Sequence, residues 1–403
     1  MSDMLFNDLK VIDLGSWVAG PAAATILGDL GAEVIKIEPP GIGDPYRYIN
    51  YVPDAPQAND NYSWQLTSRN KHSLAIDIKS SAGYEILLQL INQADVLVTN
   101  FPPKVLAKLQ LRYEDLKEKN PKLIYAHLSG YGEHGDEANT PAFDRSAFWA
   151  RSGMMDAMRH DGGAPNHSIL AMGDHPASLA TYGAIVTGLY NRERTGKGSK
   201  VHSSLMATGA WCHALPLQAE LCGAEQIRER PREKCTNALA LAYGCQDDRW
   251  FLLWIFDPDK GCEELLQAIQ QTELLNDPRF ATLEARTENA PALAEVFDKI
   301  FQSQPWQHWQ SLFDSKGIAY VQACDLNDVV NDKQFIENDV FVPLNNTNTE
   351  ATRTVNSPIF IDGYARQDAG PAPDIGQHSD SILQGLGLDS QAIAQLREDK
   401  VIA

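Results

Sequence analysis

The first forty residues alternate between two hydrophobic periods, and this alternation restricts the fold more than any other feature of the chain. Residues 9–14 (LKVIDL) form a short apolar run that stops at Gly15. Residues 16–31 are rich in alanine and glycine, as in a closely packed helix, and EVIKIE (33–38) is strand-like until Pro39 and Pro40 end it. Strand, helix and strand within about thirty residues make a right-handed βαβ unit. The pattern recurs: SLAIDI (73–78) reads as a strand, 81–94 as a helix, DVLVTNF (95–101) as a strand and LIYAHLSGYG (123–132) as another. Such repetition predicts an α/β fold, a Rossmann-like large domain whose mostly parallel sheet is covered by helices on both faces.

The organisation changes in the second half. A long helix is predicted from Asp174, with a basic last turn ahead of Gly196, and residues 200–223 offer a strand and a further helix. Residues 224–240 are irregular and charged. From Tyr243 the pattern suggests an antiparallel hairpin around Asp247-Asp248, followed by helices at 261–271, 290–303 and 306–317. The expected division is therefore 1–223 as the N-terminal part of the large domain, 224–324 as linker and smaller α+β domain, and 325–403 as a C-terminal part returning to the large domain.

Charge narrows the function classes. Against 53 Asp+Glu there are 34 Lys+Arg, a net charge of −19. That balance argues against a general nucleic-acid binder and against polybasic attachment to a membrane. It leaves room for a small anionic ligand at a local basic site, such as residues 100–122, where six Lys/Arg face three acids. The N-terminus lacks a basic segment followed by an apolar run, no apolar stretch approaches the ~20 residues of a membrane span, and the six cysteines include no C-x-x-C pair. A cytoplasmic location and inert, buried thiols are the expectations.

Three places could carry chemistry. The first βα turn, Gly15 to Pro21, lacks the second glycine of a dinucleotide fingerprint, yet it puts Trp17 where open α/β sheets bind ligands. The basic clusters at 68–72 (SRNKH) and 100–108 (NFPPKVLAK) could hold phosphates or form a solvated surface. In Gly173-Asp174-His175-Pro176, an aspartate at a helix start reads first as a cap. The chemical alternative is a carboxylate nucleophile.

The segments AGPAAATILGDLGAEVIKIEPPGIGDPYR, SRNKHSLAIDIKS, ADVLVTNFPPKVLAKLQL, NPKLIYAHLSGYGEHG, PAFDRSAFWARSG, GDHPASLATYGAIVTGLYNRERTGKG and GPAPDIGQHSDSILQGLG occur in this order over nearly the whole chain. Together they resemble the class III CoA-transferases, the family of formyl-CoA transferase and carnitine CoA-transferase. The resemblance implies a homodimer of interlocked chains. It implies a reaction in which CoA passes from an acyl-CoA donor to a carboxylic acid acceptor through an aspartyl anhydride and an aspartyl-CoA thioester. The catalytic aspartate falls on Asp174. Coenzyme A enters as substrate, and no metal or tightly bound cofactor is implied.

The implied CoA contacts are Trp17 and Val18 in the first turn, and Arg69, Asn70, Lys71 and His72 in the loop before the next strand. Asn100, Phe101 and Pro102 follow at a strand end, then Lys108, and then Pro141, Ala142, Phe143 and Asp144. Three positions depart from formyl-CoA transferase: Lys108 replaces an arginine, Val18 a glutamine and Pro39 an arginine. The glycine-rich loop of that enzyme is replaced by CTNALALAYGC. Two other readings are an α-methylacyl-CoA racemase, which would need a histidine where this chain has Phe143, and a non-catalytic protein that binds CoA esters. For the acid, Arg47 or Arg145 could pair with a second carboxylate, and Trp17, Phe148 and Trp149 could line an apolar or cationic pocket.

Overall fold

The computed structural model describes residues 3–52, 55–226, 230–255, 257–346 and 349–403. The chain divides into two compact units, Met1–Ala157 with Pro165–Gln226 and Glu337–Ala403, and Met158–Ala164 with Ile227–Ile336. In the larger unit the elements run β1 (Lys10–Asp13), α1 (Ala19–Asp29), β2 (Glu33–Glu38), α2 (Tyr62–Ser68), β3 (His72–Ala75), α3 (Ser81–Gln93), β4 (Val96–Thr99), α4 (Pro103–Lys108), α5 (Tyr113–Leu116), β5 (Ile124–Ser129), α6 (Met154–Ala157), α7 (Asp174–Thr195), β6 (Ser199–Ser204), α8 (Leu205–Cys212) and α9 (Ala214–Leu221). The strands form a six-stranded sheet in the order β3-β2-β1-β4-β5-β6, and every pairing in it is parallel.

Side chains on successive strand residues face opposite ways, which gives the sheet two cores. Val11, Val34, Val96, Val98 and Ile124 pack with α1 and α7 residues such as Leu27 and Ile185. Ile12, Ile35, Ile37, Leu74, Leu97 and Tyr125 pack on the other face with Leu87, Leu90 and Ile91 of α3. Helix α1 is buried along its whole length, and its alanines and glycines are what allow that. The far end of the chain covers the β3 edge. Asp77 N–H donates to Val401 O at 2.8 Å and Ala403 N–H to Ala75 O at 3.3 Å, with an antiparallel bridge between Ile76 and Ile402. An edge strand that would otherwise offer open backbone groups is thereby closed.

The smaller unit holds an antiparallel sheet, β7 (Ala242–Gly244), β8 (Trp250–Leu253) and β9 (Tyr320–Ala323). The β7–β8 turn contains Asp248 at φ 58°. Its core is aromatic, with Tyr243, Phe251, Phe297, Phe301, Trp309 and Phe313 in mutual contact distance. The expectation of buried thiols holds for Cys235, Cys245 and Cys262 only, because Cys212, Cys222 and Cys324 are exposed.

Beneath the C-terminal ends of β1 and β2 lies a cluster of buried charges. Lys36, almost inaccessible, is 2.8 Å from Asp44 Oδ2 and 3.8 Å from Asp13 Oδ1, and it also donates to the Gly15 carbonyl. Lys71 pairs with Asp13 at 2.9 Å and donates to Pro21 O at 2.7 Å. Glu38 takes a bidentate bond from Arg47, at 2.9 and 2.7 Å, and a hydroxyl from Ser73 at 2.6 Å. Three acids and three bases pair with one another here, which offsets the cost of burying them. Removing one partner strands a charge. Lys36→Met is expected to cost about 3–5 kcal/mol in urea unfolding, and Lys36→Met with Asp44→Asn to restore most of it. Equal stability of the two variants would show that the pairing is not what makes Lys36 necessary.

Candidate active site

The strand order reverses between β1 and β4, and in open α/β sheets the crevice beyond that point is where ligands sit. The turn after β1 crosses it. Trp17 adopts a left-handed conformation, φ 66°, which is unfavourable for a tryptophan and must be held by its surroundings. Asn100, at the end of β4, accepts from Ser16 N–H at 2.9 Å and donates back to Ser16 O at 2.8 Å. Asp44 Oδ1 accepts from Trp17 N–H at 3.1 Å and from Tyr46 N–H at 2.9 Å. The Trp17 ring is left partly exposed, edge-on to Phe143 with centroids 5.6 Å apart. Val18 is buried against Tyr46 and Trp64.

Phe143 leads into a π-helical turn, Asp144–Ala150, a local irregularity common at functional sites. Asp144 is buried, accepting from its neighbour Arg145 N–H at 2.7 Å and from Gly173 N–H at 3.5 Å. Gly173 touches the ring of Phe148 so closely that an added Cβ would lie 2.4 Å from it. Only glycine permits that approach, and it sets Asp174 as the first residue of α7. The capping expectation is corrected here: Gly173 is the cap residue, and no side-chain capping bond is made. The Asp174 carboxyl is pushed up to about 7, first by burial and then by the charge of Asp144. A helix N-terminus favours the ionised form, but here desolvation outweighs it. The Tyr46 hydroxyl is pushed up by burial and by Asp174, which puts Tyr46 on the same site. His175 is pushed down by burial and by Arg69.

The structure brings Trp17, Val18, Phe143, Asp144 and Asp174 together, with Asn100 as the clamp on the turn. Phe101 and Pro102 are half-buried at the end of β4, Phe101 against the sheet core. Lys108 is exposed at the last residue of α4, Pro141 is exposed and Ala142 half-buried. The loop 69–72 is different. Arg69 is buried in a bidentate pair with Asp29, at 3.0 and 2.7 Å, and Lys71 is committed to Asp13, its ammonium brought down to about 8 by burial. Neither offers an outward cation, so the reading of 68–72 as a phosphate-holding pair is corrected. Asn70, at φ 62°, and His72 face the C-terminal segment instead. Arg47 is consumed by Glu38 and lies 3.8 Å over the Trp64 ring, leaving the exposed Arg145 as the candidate for a second carboxylate. Phe148 and Trp149 are core residues, not pocket lining.

Sequence reasoning missed Asp44 and Tyr46. The signal was present in Gly43-Asp44-Pro45, an aspartate ahead of a first-turn proline. Among the described residues no group of three or more His, Cys, Asp or Glu is placed to hold a metal ion, and no helix is long and apolar enough to cross a membrane.

The model of CoA-transferase family III matches residues 6–379. (R)-2-Hydroxy-4-methylpentanoate CoA-transferase of Clostridioides difficile is 30% identical over 402 residues, covering 99% of this chain and 100% of that protein. Succinyl-CoA:glutarate CoA-transferase of Mus musculus is 30% identical over 389 residues, covering 96% and 88%. A solved CaiB/BaiF family protein from Brucella suis superposes with a TM-score of 0.85 at 26% identity, covering 96% of this chain and all of that one. With a parallel sheet that reverses order at the Trp17 turn, and a family match over almost its full length, this chain belongs to the class III CoA-transferases.

Proposed function

We propose that this enzyme moves CoA from an acyl-CoA to a carboxylic acid through covalent intermediates on Asp174. The observation that carries the reading is the half-buried Asp174 carboxyl at the start of α7, beside Asp144, which is pushed up to about 7. Such a group is half ionised near neutrality, and its weak solvation makes the ionised oxygen a better nucleophile than an exposed carboxylate. The Asp174 oxygen attacks the thioester carbonyl, expelling CoA thiolate and leaving a mixed anhydride. The thiolate attacks the aspartyl carbonyl, releasing the donor acid and leaving an aspartyl-CoA thioester. The acceptor carboxylate attacks that carbonyl, breaking its C–S bond and expelling CoA thiolate, to form a second anhydride. The thiolate then takes the acceptor's acyl group and frees Asp174. Bonds and charges balance at every step, and the cycle draws on no resident cofactor.

The substrate pair is an acyl-CoA and a carboxylic acid, as in the relatives whose names specify both. Phe143, packed on Trp17, stands where racemase chemistry needs a histidine, which favours transfer over epimerisation. Trp211, Leu215 and Leu221 on α8 and α9 are more than 80% exposed, and α9 buries none of its residues, which supports association with a second copy of the chain. Exposed free thiols at Cys212, Cys222 and Cys324 suit a reducing cytoplasm.

Mass spectrometry after hydroxylamine trapping is expected to find the adduct on the Asp174 peptide, and Asp174→Ala to abolish CoA exchange. Exchange that survives this substitution would end the covalent reading. kcat/KM is expected to rise with pH with a midpoint near 7, the proton affinity of Asp174. Asp144→Asn removes a like charge and is expected to move that midpoint down; an upward move would contradict the assignment.

Stability runs the other way. The folded carboxyl titrates at about 7 and the unfolded one at about 3.9. As pH rises between these values the unfolded chain ionises first, so stability falls. Asp174→Asn is therefore expected to unfold at higher temperature than the parent at pH 8, with a margin that grows between pH 4 and 7.

A further inference from the structure

The far half of the parallel sheet carries a row of polar side chains that the mechanism above leaves unused. Its centre is His127 on β5, which is buried. Its Nδ1 lies 2.5 Å from Glu133 Oε1, and its Nε2 lies 2.9 Å from the carbonyl oxygen of Phe101. Glu133 stands in the loop after β5, and its second oxygen takes Lys200 Nζ of β6 at 2.8 Å. Burial raises the Glu133 carboxyl, but the bonds from His127 and Lys200 outweigh it and bring it down to about 2. A carboxylate lies opposite one ring nitrogen and a carbonyl opposite the other. Neither has a hydrogen to give, so the ring makes both bonds only as a donor at each nitrogen.

The other end of the row is the turn that carries Trp17. Phe101 is held at both backbone groups, its carbonyl by His127 and its N–H by Thr99 Oγ1 at 3.3 Å. Asn100 sits between Thr99 and Phe101, and its side chain exchanges two bonds with Ser16, at 2.9 and 2.8 Å. Ser16 precedes Trp17, with its φ of 66°. Lys200, Glu133, His127, Phe101, Asn100 and Ser16 thus link β6, β5, β4 and β1 in their spatial order, and the link ends where the strand order reverses. An apolar side chain at position 127 would take the donor from the Phe101 carbonyl, and a buried carbonyl without a donor is costly enough to make the strand end move.

We propose that His127 is a positioning residue for acyl-CoA. It donates to the Phe101 carbonyl, which fixes the end of β4, and through Asn100 it fixes the Trp17 turn of the crevice. Its part in acyl-CoA binding rests on the transferase reading; the mechanical link from His127 to the turn does not.

Two substitutions separate the donor from the bulk of the ring. His127→Leu keeps a side chain of similar size and loses both donors. His127→Gln puts an amide N–H near the place of Nε2 and can keep the bond to Phe101. Acyl-CoA kinetics are measured together with hydrogen–deuterium exchange of the peptide covering residues 14–19, both well below the melting temperature of each variant. His127→Leu is expected to raise KM for acyl-CoA by about tenfold, the worth of one buried hydrogen bond, with kcat held, and to speed exchange at Ser16 and Trp17. His127→Gln is expected to restore both. A histidine needed only for packing would respond alike to the two substitutions and would not split KM from kcat.

The proposal is overturned if His127→Leu leaves KM or the exchange unchanged, if His127→Gln is impaired as much as His127→Leu, or if the loss falls on kcat. Where His127→Leu does not fold, Glu133→Gln in the loop takes its place. Weakening the acceptor opposite Nδ1 is expected to move KM and exchange in the same direction, and no change in either overturns the proposal. A parent that transfers no CoA refutes the transferase reading, and exchange at residues 14–19 then decides the link from His127 by itself.

Discussion

The buried ion cluster under β1 and β2 is the constraint on which the site depends. Asp44 is one of its members, and the same carboxylate that faces Lys36 at 2.8 Å accepts the backbone N–H groups of both Trp17 and Tyr46. Those residues stand on different segments, one leading into α1 and one in the loop after β2. A single buried anion thus sets the spacing of two walls of the crevice. It can do so because Lys36 neutralises it, because Asp13 orients Gly15 N–H at 3.0 Å, and because Lys71 neutralises Asp13 in turn. Hydrophobic packing alone would fill this volume more cheaply. It would not hold a tryptophan at positive φ with its ring turned outward.

The opposite arrangement holds Asp174. It is half-buried, near a second carboxyl and with no cation paired to it among the described residues, at a helix start that compensates only in part. One end of the sheet therefore carries fully paired charges that rigidify the turn, while the residue facing that turn keeps an unpaired carboxyl whose ionisation opposes folding. The nucleophile we propose is thus less comfortable than its surroundings, and the discomfort is confined to one side chain at the start of a long helix.

Much of the fold is legible in the sequence because parallel strands and their helices have distinct periods over short windows. The βαβ start, Gly196 at the end of α7 and the turn at Asp247-Asp248 all show in stretches of a few residues. The site is legible where a local rule is broken, as at Trp17, where a dinucleotide loop would have glycine, and at Asp174 ahead of a first-turn proline. Contacts between distant positions are not legible in this way. Arg69 and Lys71 look like a solvated basic loop in one dimension. Asp29 and Asp13, which bury them, lie 40 and 58 residues away. Nothing in SRNKH marks which cations are already spoken for, and the same is true of Arg47.

This redistribution changes what the net charge means. Lys36, Arg47, Arg69 and Lys71 are all consumed inside the protein, and Arg112 pairs with Asp115 at 2.9 Å. The cations left for a phosphorylated substrate are exposed ones such as Lys104 and Lys108, on a surface where salt screens them. An acidic enzyme that must hold a polyanion then has two resources: those few lysines, and neutral N–H donors. Neutral donors add no charge for solvent ions to screen. They also discriminate by geometry, because a fixed N–H rewards only an oxygen lying along its bond axis.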